Sequence, residues 1–141
     1  MNPGDNETRG EFALLLDGVE YVLRPTYEAI VAIEKACARS ISELARAAFD
    51  RSLSIEHAAL VAVHCIRAWG RETGDKGAQF AAPPRIGSLI VGAGTHTVFP
   101  ALATALTLAA TGGVDPDTGK ARPEAIPAVG TTTSPETPAD A

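Results

Sequence analysis

The chain has 141 residues, of which 45% are hydrophobic, 21% charged and 5% aromatic, and 12 basic against 17 acidic side chains give a formal net charge of −5. A chain of this length is sufficient for one small globular domain. Because an acidic chain without a Lys/Arg cluster produces no field that would hold a phosphate backbone, we expect no nucleic-acid partner.

The segment 11–24 contains the strongest hairpin signal in the chain, Asp17-Gly18 between two apolar runs. A two-residue type I′ turn needs positive φ at both central residues, and this dipeptide supplies it. The turn sets the register of two strands, with Glu11 opposite Arg24 at the open end as an ion pair worth roughly a few tenths of a kcal/mol if it is exposed. One face of the hairpin is wholly apolar and is expected to pack inward. The pairs on that face are Leu16–Val19, Leu14–Tyr21 and Phe12–Leu23, and those on the outer face are Leu15–Glu20 and Ala13–Val22.

Three helices follow, each predicted by an N-cap residue ahead of apolar positions at helical spacing. Thr26 caps the first, and Ser40 starts a capping box for a short second helix that ends near Asp50. Ser54 caps the third, which we expect to end at Gly70 because glycine accepts the positive φ of a helix terminus. The inward positions of the three helices are Ile30, Ile33 and Cys37, then Ile41, Leu44, Ala45 and Ala48, then Ile55, Ala59, Ala62, Ile66 and Trp69.

A loop is predicted over 71–83, followed by a fourth helix from Pro84 to about Gly92 and a fifth over about 97–110, with Pro100 in its first turn. The 29 residues of 86–114 contain no charged side chain and are long enough to span a bilayer. They also contain a proline, five threonines and five glycines, so we expect two buried helices joined at 92–97 and no membrane partner.

Both ends of the chain are predicted to be disordered. Residues 1–10 are polar and without periodicity, and residues 112–141 contain five prolines, four glycines, five threonines and no aromatic residue. Such segments bury too little apolar area to offset the entropy of ordering them. The organisation is therefore a disordered 1–10, one folded domain over 11–110 and a disordered tail over 111–141. The fold class is α+β and mostly α, an N-terminal β-hairpin packed on about five short helices.

The two cysteines, Cys37 and Cys65, lie in predicted helices and are too few to form a disulfide framework. They favour a reducing compartment. The N-terminal residues carry charges of both signs where an export signal needs a basic start and an apolar run. We therefore expect a cytoplasmic protein.

No constellation of side chains predicts catalysis. Leu89–Gly94 has glycines like a dinucleotide-binding turn, but that fingerprint needs a preceding strand and a glycine in place of Thr97, which favours a corner between two helices. His57 and His64 lie about 10 Å apart along one helix, too far to share a metal ion. Glu34, at the margin of the first helix's apolar face, could face a partner or a buried donor, but the default expectation is that it extends to solvent. We expect no catalytic, cofactor-binding or metal-binding residues and no cofactor.

The outer face of the hairpin is the candidate partner-binding surface. It consists of Ala13, Leu15, Glu20 and Val22, and the strand edges beside it offer backbone N–H and C=O groups that a partner strand could pair with. The sequence is equally compatible with a helix of the same domain covering this edge.

A family resemblance rests on short motifs spread over about residues 9–110. The chain resembles the tail assembly proteins of gene transfer agents and related prophages, which belong with the phage tail assembly chaperones. The motifs are RGE at 9–11, LDG at 16–18, LRPTYEAI at 23–30, IE at 33–34, AWG at 68–70 and the turn at 84–94.

The resemblance implies a non-catalytic protein that binds the tape measure protein, keeps it soluble during tail assembly and helps to recruit tail tube (major tail) subunits. It also implies a homo-oligomer. Some members are labelled tail tube proteins instead, and a structural tail role is placed second because a tube subunit needs long strands for its β-rich ring. A host helical adaptor and a nucleotide-binding enzyme that uses Gly92 and Gly94 remain as alternatives outside the family.

Overall fold

The computed structural model describes residues 11–123, in which a two-stranded antiparallel sheet precedes six helices. The strands are β1 (Phe12–Leu16) and β2 (Val19–Leu23). The helices are α1 (Tyr27–Cys37), α2 (Ile41–Phe49), α3 (Ile55–Thr73), α4 (Lys76–Gln79), α5 (Pro83–Ala93) and α6 (Thr95–Ala110). The predicted fold class, a hairpin on a mostly helical body, is confirmed. The predicted disorder of 1–10 and of 124–141 lies outside the described residues.

The hairpin has the predicted register at every one of its five pairs. Asp17 and Gly18 have φ values of 51° and 75°, as a type I′ turn requires. The inward face is buried along β1, but Val19 at the tip is 51% exposed. The apolar face is therefore covered along the whole of β1, whereas along β2 it becomes more exposed from Leu23 towards Val19.

The N-caps of the first three helices are also confirmed. Thr26 accepts a hydrogen bond from the Ala29 N–H at 3.1 Å, and Ser54 accepts one from the His57 N–H at 3.0 Å. Ser40 and Glu43 form both bonds of the capping box.

Helix α3 is the central element of the fold and packs against the hairpin and most of the other helices, while α2 and α6 pack along each other. Side chains from the hairpin and from the helices meet in one core. Its largest fully buried members are Phe99, Leu16, Leu23, Ile33, Leu44, Ile66, Ile90, Leu102, Leu106, Val61, Val63 and Val98.

Helix α3 is one turn longer than predicted and ends at Gly74, whose φ is 81°. Gly70 lies inside the helix, and α4 packs directly on it. A Cβ at Gly70 would lie 2.5 Å from the Gln79 backbone nitrogen. This glycine permits a close approach and does not end the helix. The predicted loop 71–83 accordingly contains α4, whose N-cap Asp75 accepts a hydrogen bond from the Ala78 N–H at 2.9 Å.

The uncharged run 86–114 forms helices that meet at Gly94, where φ is 95°. Helix α6 begins two residues earlier than predicted, which places Pro100 inside the helix. Within residues 11–123, none of the helices has both the length and the apolar content that a membrane-spanning helix needs.

The folded part of the chain extends past residue 110, the predicted end of the domain. Val114 and Ala121 form a β-bridge and are 5% and 8% exposed. Asp115 accepts hydrogen bonds from the backbone N–H groups of Asp117 and Thr118, which closes the turn between Val114 and Ala121. Composition alone misses this segment because its order also depends on contacts with distant residues, such as the hydrogen bond from the Tyr27 N–H to the Pro116 carbonyl oxygen at 2.9 Å. We name residues 111–123 the C-terminal turn.

A matched pair of glycine substitutions tests the hairpin turn. Gly18 and Gly92 both have open space where a Cβ would stand, but only Gly18 has positive φ. Gly18→Ala should lower the free energy of unfolding by about 1 kcal/mol because L residues are strained there. Gly92→Ala, within α5, should raise it by about 0.5 kcal/mol. Denaturant titration measures both changes. If the two substitutions changed the free energy of unfolding in the same direction, the positive-φ turn at Gly18 would be contradicted.

Candidate protein-binding surface

The four residues of the candidate surface lie together on the outer face of the hairpin. Ala13, Leu15 and Glu20 are exposed and Val22 is half-buried. Leu15 has 62% of its surface accessible. Helix α3 meets β2 at the open end of the hairpin, where the Arg24 N–H donates to the Cys65 carbonyl oxygen at 3.1 Å, and it leaves Ala13, Leu15 and Glu20 accessible. Its role in binding a partner stays a prediction.

Both edges of the two-stranded sheet present outward-pointing backbone groups. The pair that flanks a two-residue turn exchanges both ladder hydrogen bonds, and the pairs then alternate along the strands. The N–H and C=O groups of Ala13 and Leu15 therefore point away from β2, and those of Glu20 and Val22 point away from β1. Among residues 11–123, no hydrogen-bonding partner reaches these four backbones.

A cleft of about 330 Å³ lies beside β2, and we name it the β2 cleft. One wall is the strand, and the other walls come from the C-terminal half of α3 and from α4. Ile66 is buried in its floor and Trp69 is half-buried. The two charged residues that line the cleft, Glu20 and Asp75, are both acidic. The lining residues are Val19, Glu20, Tyr21, Val22, Ile66, Trp69, Asp75, Gly77 and Ala78.

The open end of the hairpin is fixed by a buried ion pair. Arg24 Nε donates to Glu11 Oε1 at 3.0 Å, and Arg24 Nη2 donates to Glu11 Oε2 at 2.7 Å. The predicted ion pair is therefore confirmed, and its two side chains are only 6% and 8% exposed, so it is a buried pair. The C-terminal turn provides the cover: Gly119 lies on the Arg24 backbone, and Lys120 Nζ is 3.7 Å from Glu11 Oε2.

Two polar residues of α3 differ in what they do: Arg67 has a structural role, and His64 has a shifted pKa. Arg67 Nε donates to the Ala81 carbonyl oxygen at 2.9 Å and so holds the segment between α4 and α5. Burial, with the nearby cations of Arg67 and Arg71, lowers the pKa of His64. Within residues 11–123, no group of three or more His, Cys, Asp or Glu side chains could hold a metal ion.

Both thiols are free and buried. Burial raises the pKa of Cys65 to about 12, and burial is also the main cause that raises the pKa of Cys37. A thiol is nucleophilic as the thiolate, so these two stay protonated and unreactive near neutral pH. They act as small apolar side chains in the core.

The remaining candidates are structural. Leu89–Gly94 belongs to the end of α5 and its helix–helix corner, so the strand that a dinucleotide-binding turn requires is replaced by helix. Glu34 does not extend to solvent as expected, because its Oε2 accepts a hydrogen bond from the Ile41 N–H at 2.9 Å. It thereby joins α1 to the first residue of α2. The sequence gives no local signal for this bond, since it depends on how the two helices cross.

Comparison with known proteins identifies the class. The fold is that of a small, mostly helical domain whose hairpin has an exposed strand edge. Residues 9–106 match the family described as "Phage tail tube protein, GTA-gp10", and the chain belongs to this family. Comparisons with the curated proteins and with the solved structures gave no match.

The family membership confirms the resemblance to proteins of gene transfer agent and phage tails. The family's description supports the structural tail tube alternative better than the chaperone role that the sequence analysis placed first.

The lowered pKa of His64 makes stability depend on pH. Because the folded state favours the neutral ring, its contribution to stability is complete above the ordinary pKa of 6.5 and is lost as the pH falls through the lower folded-state value. Arg71→Gln removes one of the cations and should raise the pKa of His64, measured by an NMR titration. The remote Arg46→Gln serves as the control and should leave it unchanged. If the pKa of His64 stayed the same in Arg71→Gln, the contribution of Arg71 to the lowered pKa would be contradicted.

Proposed function

We propose that this protein is a structural component of a phage-type tail, which contacts tail tube subunits and other tail proteins and catalyses no reaction. The observation that carries the proposal is the family match over residues 9–106, which spans the hairpin and five complete helices. Assembly of such tails takes place in the host cytoplasm, in agreement with the reduced, buried thiols.

Exposed apolar side chains support a role in protein contact. A single exposed apolar residue is ordinary, so its position beside the other candidate residues is what gives it weight. Leu15, on the outer face of the hairpin, is 62% exposed, and Val19, on the opposite face beside the turn, is 51% exposed. Other large apolar side chains with most of their surface exposed are Tyr27, Phe49, Phe80 and Val91.

A second candidate function is a tail assembly chaperone that binds the tape measure protein and helps to recruit tail tube subunits. The specific observation that favours it is the strand content: residues 11–123 form one sheet of two five-residue strands. A β-rich ring subunit needs longer strands, whereas transient binding to a partner needs only an exposed edge or groove. Both candidates act through protein contacts and both accommodate a homo-oligomer.

Quantitative mass spectrometry of purified particles distinguishes the two functions. The experiment uses particles assembled from the gene cluster that encodes this chain, and the assembly lysate as the second sample. A structural component is expected in the particles at a fixed ratio to the tail tube subunit. A chaperone is expected in the lysate, bound to the tape measure protein, and depleted from the particles. If deletion of the gene leaves complete tails and the chain copurifies with neither partner, both candidates are contradicted.

A further inference from the structure

We propose that the edge of β2 binds an extended segment of a tail-protein partner as a third strand, and that this segment carries basic side chains beside apolar ones. The identity of the partner as a tail protein rests on the proposed function. The strand site itself rests on the backbone, the cavity and the charge of the β2 cleft.

The backbone of β2 is suited to strand addition. Glu20 and Val22 direct four N–H and C=O groups away from β1, and no group within residues 11–123 satisfies them. An extended segment alongside would pair with these groups and continue the sheet. The register is fixed by the Asp17-Gly18 turn, so the same two residues always face outward.

The β2 cleft provides room and an apolar floor for such a strand. A strand added to a sheet lies about 4.8 Å from its neighbour. The cleft of about 330 Å³ runs along that side of β2, with Ile66, Trp69 and Ala78 on the floor and far wall. This volume is about twice the ~150 Å³ of a cavity that holds benzene, so it can take apolar side chains from the added strand.

The charge of the cleft selects the occupant. Glu20 and Asp75 are the two charged lining residues, and both are acidic. Lys76 follows Asp75 in α4 but does not line the cleft. A second copy of this chain, with net charge −5, would bring the same two acids to the interface. Like charges oppose such pairing, whereas lysine or arginine side chains on a partner segment are attracted. A basic segment of another protein is therefore favoured over self-pairing.

Two proline variants test the edge. Val22→Pro removes an N–H that points into the cleft while the ladder bonds to β1 remain, and Ala13→Pro makes the matching change on the opposite edge. The probes are overlapping synthetic peptides of about 15 residues that cover the tail tube and tape measure proteins of the same gene cluster, titrated against the full chain by fluorescence polarisation. We expect the best-binding peptide to have a net positive charge. Val22→Pro should weaken its binding at least tenfold and Ala13→Pro less than twofold.

Charge variants provide a second test that does not disturb the strand. Glu20→Gln together with Asp75→Asn removes both acids, and asparagine keeps the N-cap of α4. This pair of changes should weaken the same peptide about fivefold and reduce the salt dependence of binding. Ser42→Ala, on the exposed surface of α2, is the control and should have no effect. Thermal melts verify that each variant is folded.

Several outcomes would overturn the strand site. These are binding by none of the peptides, equal losses from the two proline variants, or no loss from removing the acids. A dimer in light scattering that Val22→Pro converts to a monomer would assign the edge to a second copy instead. If full-length tail proteins still bind Val22→Pro with unchanged affinity, the strand site is wrong and the proposed tail function stands.

Discussion

The ion pair between Glu11 and Arg24 is the contact on which the arrangement of the hairpin depends. It closes the open end of the sheet. The backbone N–H of Arg24 donates a hydrogen bond to the Cys65 carbonyl oxygen of α3 at 3.1 Å, which joins the hairpin to this helix. Burying two charges is unfavourable unless both are fully paired, and here two short hydrogen bonds provide that pairing. The C-terminal turn keeps water from the pair because Gly119 has no side chain to hold it away from Arg24. Three segments distant in sequence thus meet at one junction.

This junction explains why a two-stranded sheet can present a usable edge. A hairpin alone is marginally stable in water. Here β1 and β2 are anchored at their base by charge and by the core, while Leu15, Val19 and the edge of β2 stay accessible at the tip. A partner that adds a strand therefore meets a backbone already fixed in the extended conformation and loses less entropy on binding. Such an edge suits the structural tail role proposed above.

Local chemistry predicts much of the fold. The Asp17-Gly18 turn determines the full register, and Thr26, Ser40 and Ser54 mark helix starts correctly, because each signal acts within about four residues. The passage of α3 through Gly70, the burial of Glu11 and the order of the C-terminal turn depend on contacts between distant segments, so no local pattern reveals them. The candidate surface is likewise predictable only in part. Its exposed residues follow from strand alternation, but the β2 cleft needs walls from α3 and α4.

Hydrogen exchange of the hairpin amides in two glycine variants tests the junction most directly. Gly119 and Gly112 both have positive φ, with values of 75° and 82°, so alanine carries the same backbone strain at each. Only at Gly119 would the new Cβ collide with Arg24, at 2.7 Å from its carbonyl carbon. If the junction holds the hairpin in place, the amides of β1 and β2 should exchange at least tenfold faster in Gly119→Ala than in Gly112→Ala. Equal exchange rates in the two variants would contradict this account.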